Sequence, residues 1–209
     1  MIRVLIADDH AIVRQGLKQI VEESGEMLVV AEAANGADAL CRVREINCDV
    51  VLLDISMPGK SGIEVLKQLR EEKPKLPVLI LSIYPEDQYA VRLIKAGASG
   101  YMTKESAPAE VVEAVRRVAS GKKYISPAVA EMLANDIGAT EEKRPHESLS
   151  NREYQIFLLF ASAKTATEIA ETLALSVKTV STHRSRILEK MNLRNNAELM
   201  HYAIENKLA

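Results

Sequence analysis

The sequence predicts an α/β fold, a doubly wound five-stranded parallel sheet, followed by a smaller all-helical unit. Three observations carry this. Over the first 120 residues, short β-branched runs alternate five times with longer stretches of helical period. The runs are apolar throughout, as strands covered on both faces are. Beyond residue 150 such runs cease and only helical periodicity remains.

The strands are expected at 2–7, 28–31, 49–53, 77–81 and 100–102, and the intervening helices at 11–23, 36–46, 62–72, 86–96 and 107–119. Gly, Pro, Asn or Asp stands at most of the breaks. Right-handed crossovers then give a flavodoxin-like sheet. PAVAEMLANDI predicts a further helix at 127–137, and GATEEKRPHES, mixing Gly, Pro and charge without apolar period, reads as an exposed connection. The expected domains are therefore 1–123, a linker with one helix at 124–147, and 148–209. In the last, helices are expected at 150–161, 167–174, 177–191 and 196–205. Ser150 stands three residues before Glu153, a capping box that fixes the start of the first.

Composition bounds the function. The chain has 209 residues, 47% of them apolar, and a net charge of only −2, but the balance is uneven. Residues 148–209 hold 8 Lys and Arg against 6 Asp and Glu, and residues 1–147 hold 19 against 23. A mildly basic rear suits an anionic partner. Aromatic residues make up 4% with no Trp, which argues against reading single strands by base stacking. The only cysteines, Cys41 and Cys48, lack metal-ligand spacing and read as reduced core thiols. No apolar run reaches about 18 residues and no basic n-region with an apolar h-region opens the chain, so a cytoplasmic location with no membrane partner is expected.

Three acids carry the chemistry. Asp8 and Asp9 close IRVLIA, and Asp54 closes DVVLL. Ligands of open parallel sheets bind beyond the carboxyl ends of the strands, so these acids converge on one crevice. One acid after one strand would most simply cap the next helix. Several crowded carboxylates repel one another unless a cation sits among them, and hard oxygen ligands suit Mg²⁺. An Asp beside such an ion can attack phosphorus and form an acyl phosphate.

In the rear unit, TEIAETLA and VKTVSTHRSRILEKM flank a tight turn at Leu175 and Ser176, which is the helix-turn-helix pattern. Val177, Val180, Ile187 and Met191 mark the apolar side of the second helix. Lys178, Ser181, Thr182, Ser185 and Glu189 mark the other. The small hydroxyls suit base edges, whereas Lys178, Arg184 and Arg186 suit phosphates.

These residues resemble a known family over nearly the whole chain. The front is similar to a two-component receiver domain on Asp8, Asp9, Asp54, Met57-Pro58-Gly59, Ser82, Tyr101 and Lys104. The rear is similar to the LuxR-type helix-turn-helix on LSNRE at 149–153, EIA at 168–170, LSVKTVSTH at 175–183 and AIENKL at 203–208. Together they resemble the NarL/FixJ class of response regulators. The resemblance implies that Asp54 accepts the phosphoryl group, that Asp9, Asp54 and the Ser56 carbonyl hold Mg²⁺, and that Asp8 assists through water. It further implies that Lys104 pairs with the phosphoryl group, Ser82 turns its hydroxyl towards it, and Tyr101 follows inwards as a switch. A transcriptional regulator rather than an enzyme is expected, with a histidine kinase, duplex DNA, a second copy of the chain and RNA polymerase as partners. Phosphorylation-independent DNA binding, or an Asp-nucleophile phosphotransferase, are the alternatives. The final helix at 196–205, with Leu199, Tyr202 and Ala203, reads equally as a self-contact surface or as packing against the other three helices.

The sequence departs from the family pattern in places. Glu105 follows Lys104 where many receivers have Pro, so a trans peptide is expected. Ile83 is bulkier than the usual residue after Ser82 and could narrow the path to Asp54. Ala163, Ala166 and Thr167 stand where Gly, Asn and Lys are usual.

Overall fold

A computed structural model describes residues 1–138, 144–206 and 208. The chain divides into two compact units, Met1–Ile137 and Gly138–Ala209.

The first unit follows the expected alternation: β1 (Ile2–Ala7), α1 (Ala11–Glu23), β2 (Met27–Ala33), α2 (Gly36–Glu45), β3 (Val50–Asp54), α3 (Gly62–Glu72), β4 (Val78–Ser82), α4 (Glu86–Lys95), β5 (Gly100–Thr103) and α5 (Pro108–Ala119). All strand pairs are parallel, in the order β2-β1-β3-β4-β5. β3 and β4 are buried at every residue, as their unbroken apolar runs require. β2 lies at the edge and is buried only at its end residues Met27 and Ala33, which fall outside the apolar run at 28–31 read as the strand. Val4, Ile6, Leu52 and Leu79 from the sheet meet Val21 of α1 and Val111, Val115 and Val118 of α5 in one core.

A sixth helix, α6 (Pro127–Gly138), begins in the segment 124–147 that the sequence reads as linker, and it packs within the first unit. Tyr124 extends the sheet edge by a bridge to Gly100, and its N–H donates to the Ser99 carbonyl at 2.9 Å. Ser126 Oγ donates to Glu86 Oε2 of α4 at 2.6 Å and accepts from the Val129 N–H at 3.2 Å, while Val129 is buried. Residues 139–143 of the expected exposed connection lie outside the described residues.

The second unit comprises a short 3₁₀ turn (Pro145–Ser148), α7 (Asn151–Ala161), α8 (Ala166–Thr172), α9 (Val177–Lys190) and α10 (Asn196–Glu205). The 3₁₀ turn was not foreseen, since four residues carry no period. It places His146 in an aromatic cluster with Tyr154 and Tyr202, with Nδ1 at 2.8 Å from the Tyr202 hydroxyl. The capping box of Ser150 and Glu153 is present. Glu153 also accepts from Lys190 Nζ at 2.7 Å, tying α7 to α9. Three helices end on a non-glycine residue in the left-handed region: Ala163 (φ 61), Ala174 (φ 50) and Asn192 (φ 54). The bonds Lys164 N to Leu159 O (3.1 Å) and Leu175 N to Ala170 O (2.8 Å) close the first two ends in Schellman fashion. The first unit uses Gly97 and Gly121 for the same purpose.

Two expectations are corrected and one open alternative is decided. Cys41 is not a core thiol: α2 buries Gly36, Ala39, Leu40 and Val43, which leaves Cys41 exposed, donating to Glu45 at 3.3 Å. Val177 lies on the first turn of α9, ahead of the packed stretch, and is 45% exposed rather than part of the apolar side. Leu199 and Ala203 are fully buried and Tyr202 is held by His146, so these residues pack inside the unit instead of forming a free surface.

Candidate functional site

Parallel pairing brings the carboxyl ends of β1, β3, β4 and β5 to one edge of the sheet. Asp8 and Asp9 follow β1, Asp54 ends the neighbouring β3, Ser82 ends β4, and Lys104 follows β5. The close seating of α3 against β3 depends on Gly62, where a Cβ would stand 1.9 Å from the Asp54 carbonyl oxygen.

Asp8 and Asp54 are each 1% exposed. Lys104 reaches between them, its Nζ 2.6 Å from Asp8 Oδ2 and 2.9 Å from Asp54 Oδ2. Burial raises the Asp54 pKa, the Lys104 ammonium opposes it, and Asp8 adds to the rise, leaving the carboxyl above its ordinary range. For Lys104 burial works downwards, but the charges of Asp54 and Asp8 and their hydrogen bonds outweigh it, so its pKa is raised. The remaining oxygens are held by backbone. Asp54 Oδ1 accepts from the Ser56 N–H at 3.1 Å, and Asp8 Oδ1 accepts from the His10 N–H at 2.8 Å. Asp8, Asp9, His10 and Asp54 each offer a ligand atom, all within 4.8 Å of one another. Asp9 Oδ1 is buried, with His10 Nδ1 2.8 Å away. A divalent cation bound by oxygen ligands fits this cluster, because it would screen the repulsion of three acids that Lys104 and His10 only partly offset.

Ser82 is fully buried, and its hydroxyl accepts from the Tyr84 N–H at 3.0 Å. Tyr101 lies inward, 1% exposed, donating its hydroxyl to the Tyr84 carbonyl at 2.8 Å. Its pKa is pushed up by burial, so it stays a donor. Ile83 is 67% exposed at the rim. No described peptide bond is cis, Lys104–Glu105 included. The sequence reading missed Tyr84 and His10. Tyr84 serves both Ser82 and Tyr101, and its phenol has a raised pKa through burial, with the Ser56 hydroxyl opposing and Asp54 adding. An aromatic residue two positions past a strand-end serine was the available signal.

On α9, Lys178, Ser181, Thr182, Ser185 and Arg186 are all exposed. Thr182 Oγ1 donates to the Lys178 carbonyl at 2.9 Å and Ser185 Oγ to the Ser181 carbonyl at 3.2 Å, which leaves their lone pairs outward. Arg184 is half-buried, and its Nε donates to Asn196 Oδ1 at 2.6 Å, so this side chain also ties α9 to α10.

Residues 4–116 match the family of response regulator receiver domains, and residues 147–203 match the bacterial regulatory proteins of the luxR family. The chain belongs to the response regulators. It is 40% identical to the response regulator GacA of Pseudomonas aeruginosa over 207 residues, covering 99% of this chain and 97% of that one. It is 39% identical to the response regulator UvrY of Escherichia coli over 209 residues, 100% of this chain and 96% of the other. Among solved structures, RcsB from Salmonella enterica serovar Typhimurium, bound to promoter rprA in the presence of phosphomimetic BeF₃⁻, superposes with a TM-score of 0.65 at 25% identity. That match covers 96% of this chain and 97% of RcsB. The response regulator thus joins a receiver to a LuxR-type helix-turn-helix domain, as its sequence predicts. Among the described residues no helix is long and apolar enough to cross a membrane.

Proposed function

We propose that this response regulator takes a phosphoryl group on Asp54 from the phosphohistidine of a kinase and, so modified, binds duplex DNA as a dimer to regulate transcription. The observation that carries this is the triangle of Asp54, Asp8 and Lys104, a buried nucleophile with a fixed cation at one oxygen, beside a set of ligand atoms within 4.8 Å of one another.

In the transfer, an Asp54 oxygen attacks phosphorus in line with the phosphohistidine nitrogen. The O–P bond forms as the P–N bond breaks, and the electron pair leaves on the imidazole. Lys104 offers its ammonium to the incoming phosphoryl oxygens, and Asp8 keeps it in place when Asp54 is esterified. Asp9, Asp54 and the Ser56 carbonyl would hold Mg²⁺, with Asp8 acting through water; this ion supplies positive charge to the oxygens on which negative charge builds. The Ser82 hydroxyl accepts from the Tyr84 N–H and also bonds the Tyr101 hydroxyl, so turning its proton to the phosphoryl group would exchange that contact. Tyr101 is already seated on the Tyr84 carbonyl, so a shift of the segment Ser82–Tyr84 moves all three groups together.

Duplex binding is assigned to α9: Ser181, Thr182 and Ser185 towards base edges, and Lys178, Arg184 and Arg186 towards phosphates. The dimeric partner is a second copy of the chain. RNA polymerase and a cytoplasmic location complete the reading. RcsB on its promoter with a phosphomimetic present supports it by likeness.

The test is uptake of label from a phosphorylated histidine kinase together with selection from random duplex DNA, with and without phosphodonor. Asp54→Asn should abolish labelling and leave the selected sequences the same under both conditions. Labelling of Asp54→Asn at the wild-type rate refutes the assignment.

A further inference from the structure

Val177 stands in the first turn of α9, 45% exposed, four residues before Ser181 and so on the same face of the helix. A single exposed valine is ordinary on a surface, but this one has particular neighbours. Lys178 beside it and Arg186 further along are exposed cations, and the one acid of α9, Glu189, lies near the opposite end. The hydroxyls around it are largely committed. Ser176 caps α9, its Oγ accepting from the Thr179 N–H at 3.0 Å and lying 2.7 Å from Thr179 Oγ1. Thr182 and Ser185 give their protons to the carbonyls of Lys178 and Ser181, so both present only acceptor lone pairs outward. Nor does α9 carry an Asn or Gln that could pair bidentately with adenine. An A·T pair is then left to be recognised from its other side. In the major groove the 5-methyl group marks thymine alone among the four bases, and its complement is an apolar side chain.

We infer that Val177 is a specificity-determining residue, packing its isopropyl group on the 5-methyl of a thymine in each half-site of the duplex. The inference rests on the reading of α9 as the helix that enters the major groove, and adds the base that its first turn selects. Residues at the N-terminal end of such a helix are those that reach base edges. A valine in a helix has one strongly preferred χ1 rotamer, and Ser176 fixes the backbone before it, so the contact is formed with little loss of side-chain freedom. Cytosine in the same place offers no methyl group, and its N4 amino group gains no acceptor from valine.

The full-length chain, treated with phosphodonor, is given duplexes of the sequence it selects from a random pool, and equilibrium binding is measured. Each thymine of a half-site is replaced in turn by deoxyuridine, which removes the 5-methyl group and nothing else. At one position the wild type should bind about fourfold more weakly, the value of one buried methyl group, and about fifteenfold more weakly when both half-sites are changed. Val177→Ala should weaken binding to the thymine duplex by a similar factor and lose nothing further on the deoxyuridine duplex. The deoxyuridine series needs no variant, and Val177→Thr closes the same cycle, with a reduced methyl preference, should Val177→Ala not fold. Deoxyuridine tolerated at every position by the wild type, or losses from deoxyuridine and Val177→Ala that simply multiply, overturns the inference; the reading of α9 then still stands if Thr182→Ala loses the preferred site. Lys178→Ala and Thr182→Ala that both bind and select as the wild type does overturn both.

Discussion

Gly62→Ala tests how closely the acceptor depends on its backbone. The added Cβ would stand 1.9 Å from the Asp54 carbonyl oxygen and 2.8 Å from the Asp54 carbonyl carbon and Ile55 Cα. Cβ contacts below 3.0 Å are essentially never seen, so the backbone of Asp54 must retreat by roughly 1 Å or α3 must lift from the sheet. Both neighbours are backbone and neither can rotate away. Overpacking of this kind costs about 1–3 kcal/mol, and a backbone clash belongs at the upper end. For a unit of this size that lowers the midpoint of thermal unfolding by about 10 °C. A misplacement of ~1 Å at the nucleophile further slows transfer by about a hundredfold. Gly16→Ala is the comparison, because nothing lies within 4 Å of its Cβ and Gly16 is exposed in mid-helix. It should stabilise by about 0.5–1 kcal/mol. Circular dichroism on heating and the rate of phosphoryl uptake from the kinase measure both effects. Wild-type uptake together with an unchanged midpoint in Gly62→Ala would refute the close-approach argument.

Other consequences are as direct. Lys178→Ala should weaken binding to matched and scrambled duplexes alike and reduce the salt slope by about one unit, whereas Thr182→Ala should cost about 1–3 kcal/mol on the preferred site only; equilibrium binding at several salt concentrations separates the two. Ala163 and Ala174 sit at positive φ, so replacing each with Gly should stabilise the second unit by up to ~1 kcal/mol, read from its urea midpoint. Burial alone would raise the Glu153 pKa, but its bonds to Lys190 and Ser150 hold it below the ordinary 4.5. Its stabilising effect is then complete above pH 4.5 and fades as pH falls through the lowered value, so the stability gap between wild type and Glu153→Gln should shrink in acid.

Legibility in the sequence followed the regularity of the backbone. Parallel strands of a covered sheet announce themselves by unbroken apolar runs, and the residue after each run must emerge at the same edge. Asp8, Asp9 and Asp54 were therefore placed without reference to any distant contact, whereas Ser82 and Lys104 were singled out through the resemblance to receiver domains. The pairing of Lys104 with both Asp8 and Asp54 is a further step, because it depends on the strand order. His10 and Tyr84 escaped for the opposite reason. Each lies in a loop, where side-chain direction is set by local turns rather than by a period of 2 or 3.6. The partnership of His146 with Tyr202 joins residues 56 apart in sequence through a turn too short to have a pattern. On α9 the amphipathic period located the exposed stripe but could not foresee that Arg184 reaches Asn196.

The seating of α6 has a consequence for how such chains can be recombined. Gly100 admits Tyr124 because it has no side chain: a Cβ there would come within 2.7 Å of the Tyr124 carbonyl oxygen. Glu86 and the socket around Val129 complete the berth. A chimaera spliced at residue 123 would hand one parent an empty berth with water against apolar surface, and the other a helix with no seat. The workable joint lies after residue 137, where both parents keep their own complementary surfaces, so that α6 travels with the receiver when DNA-binding modules are exchanged.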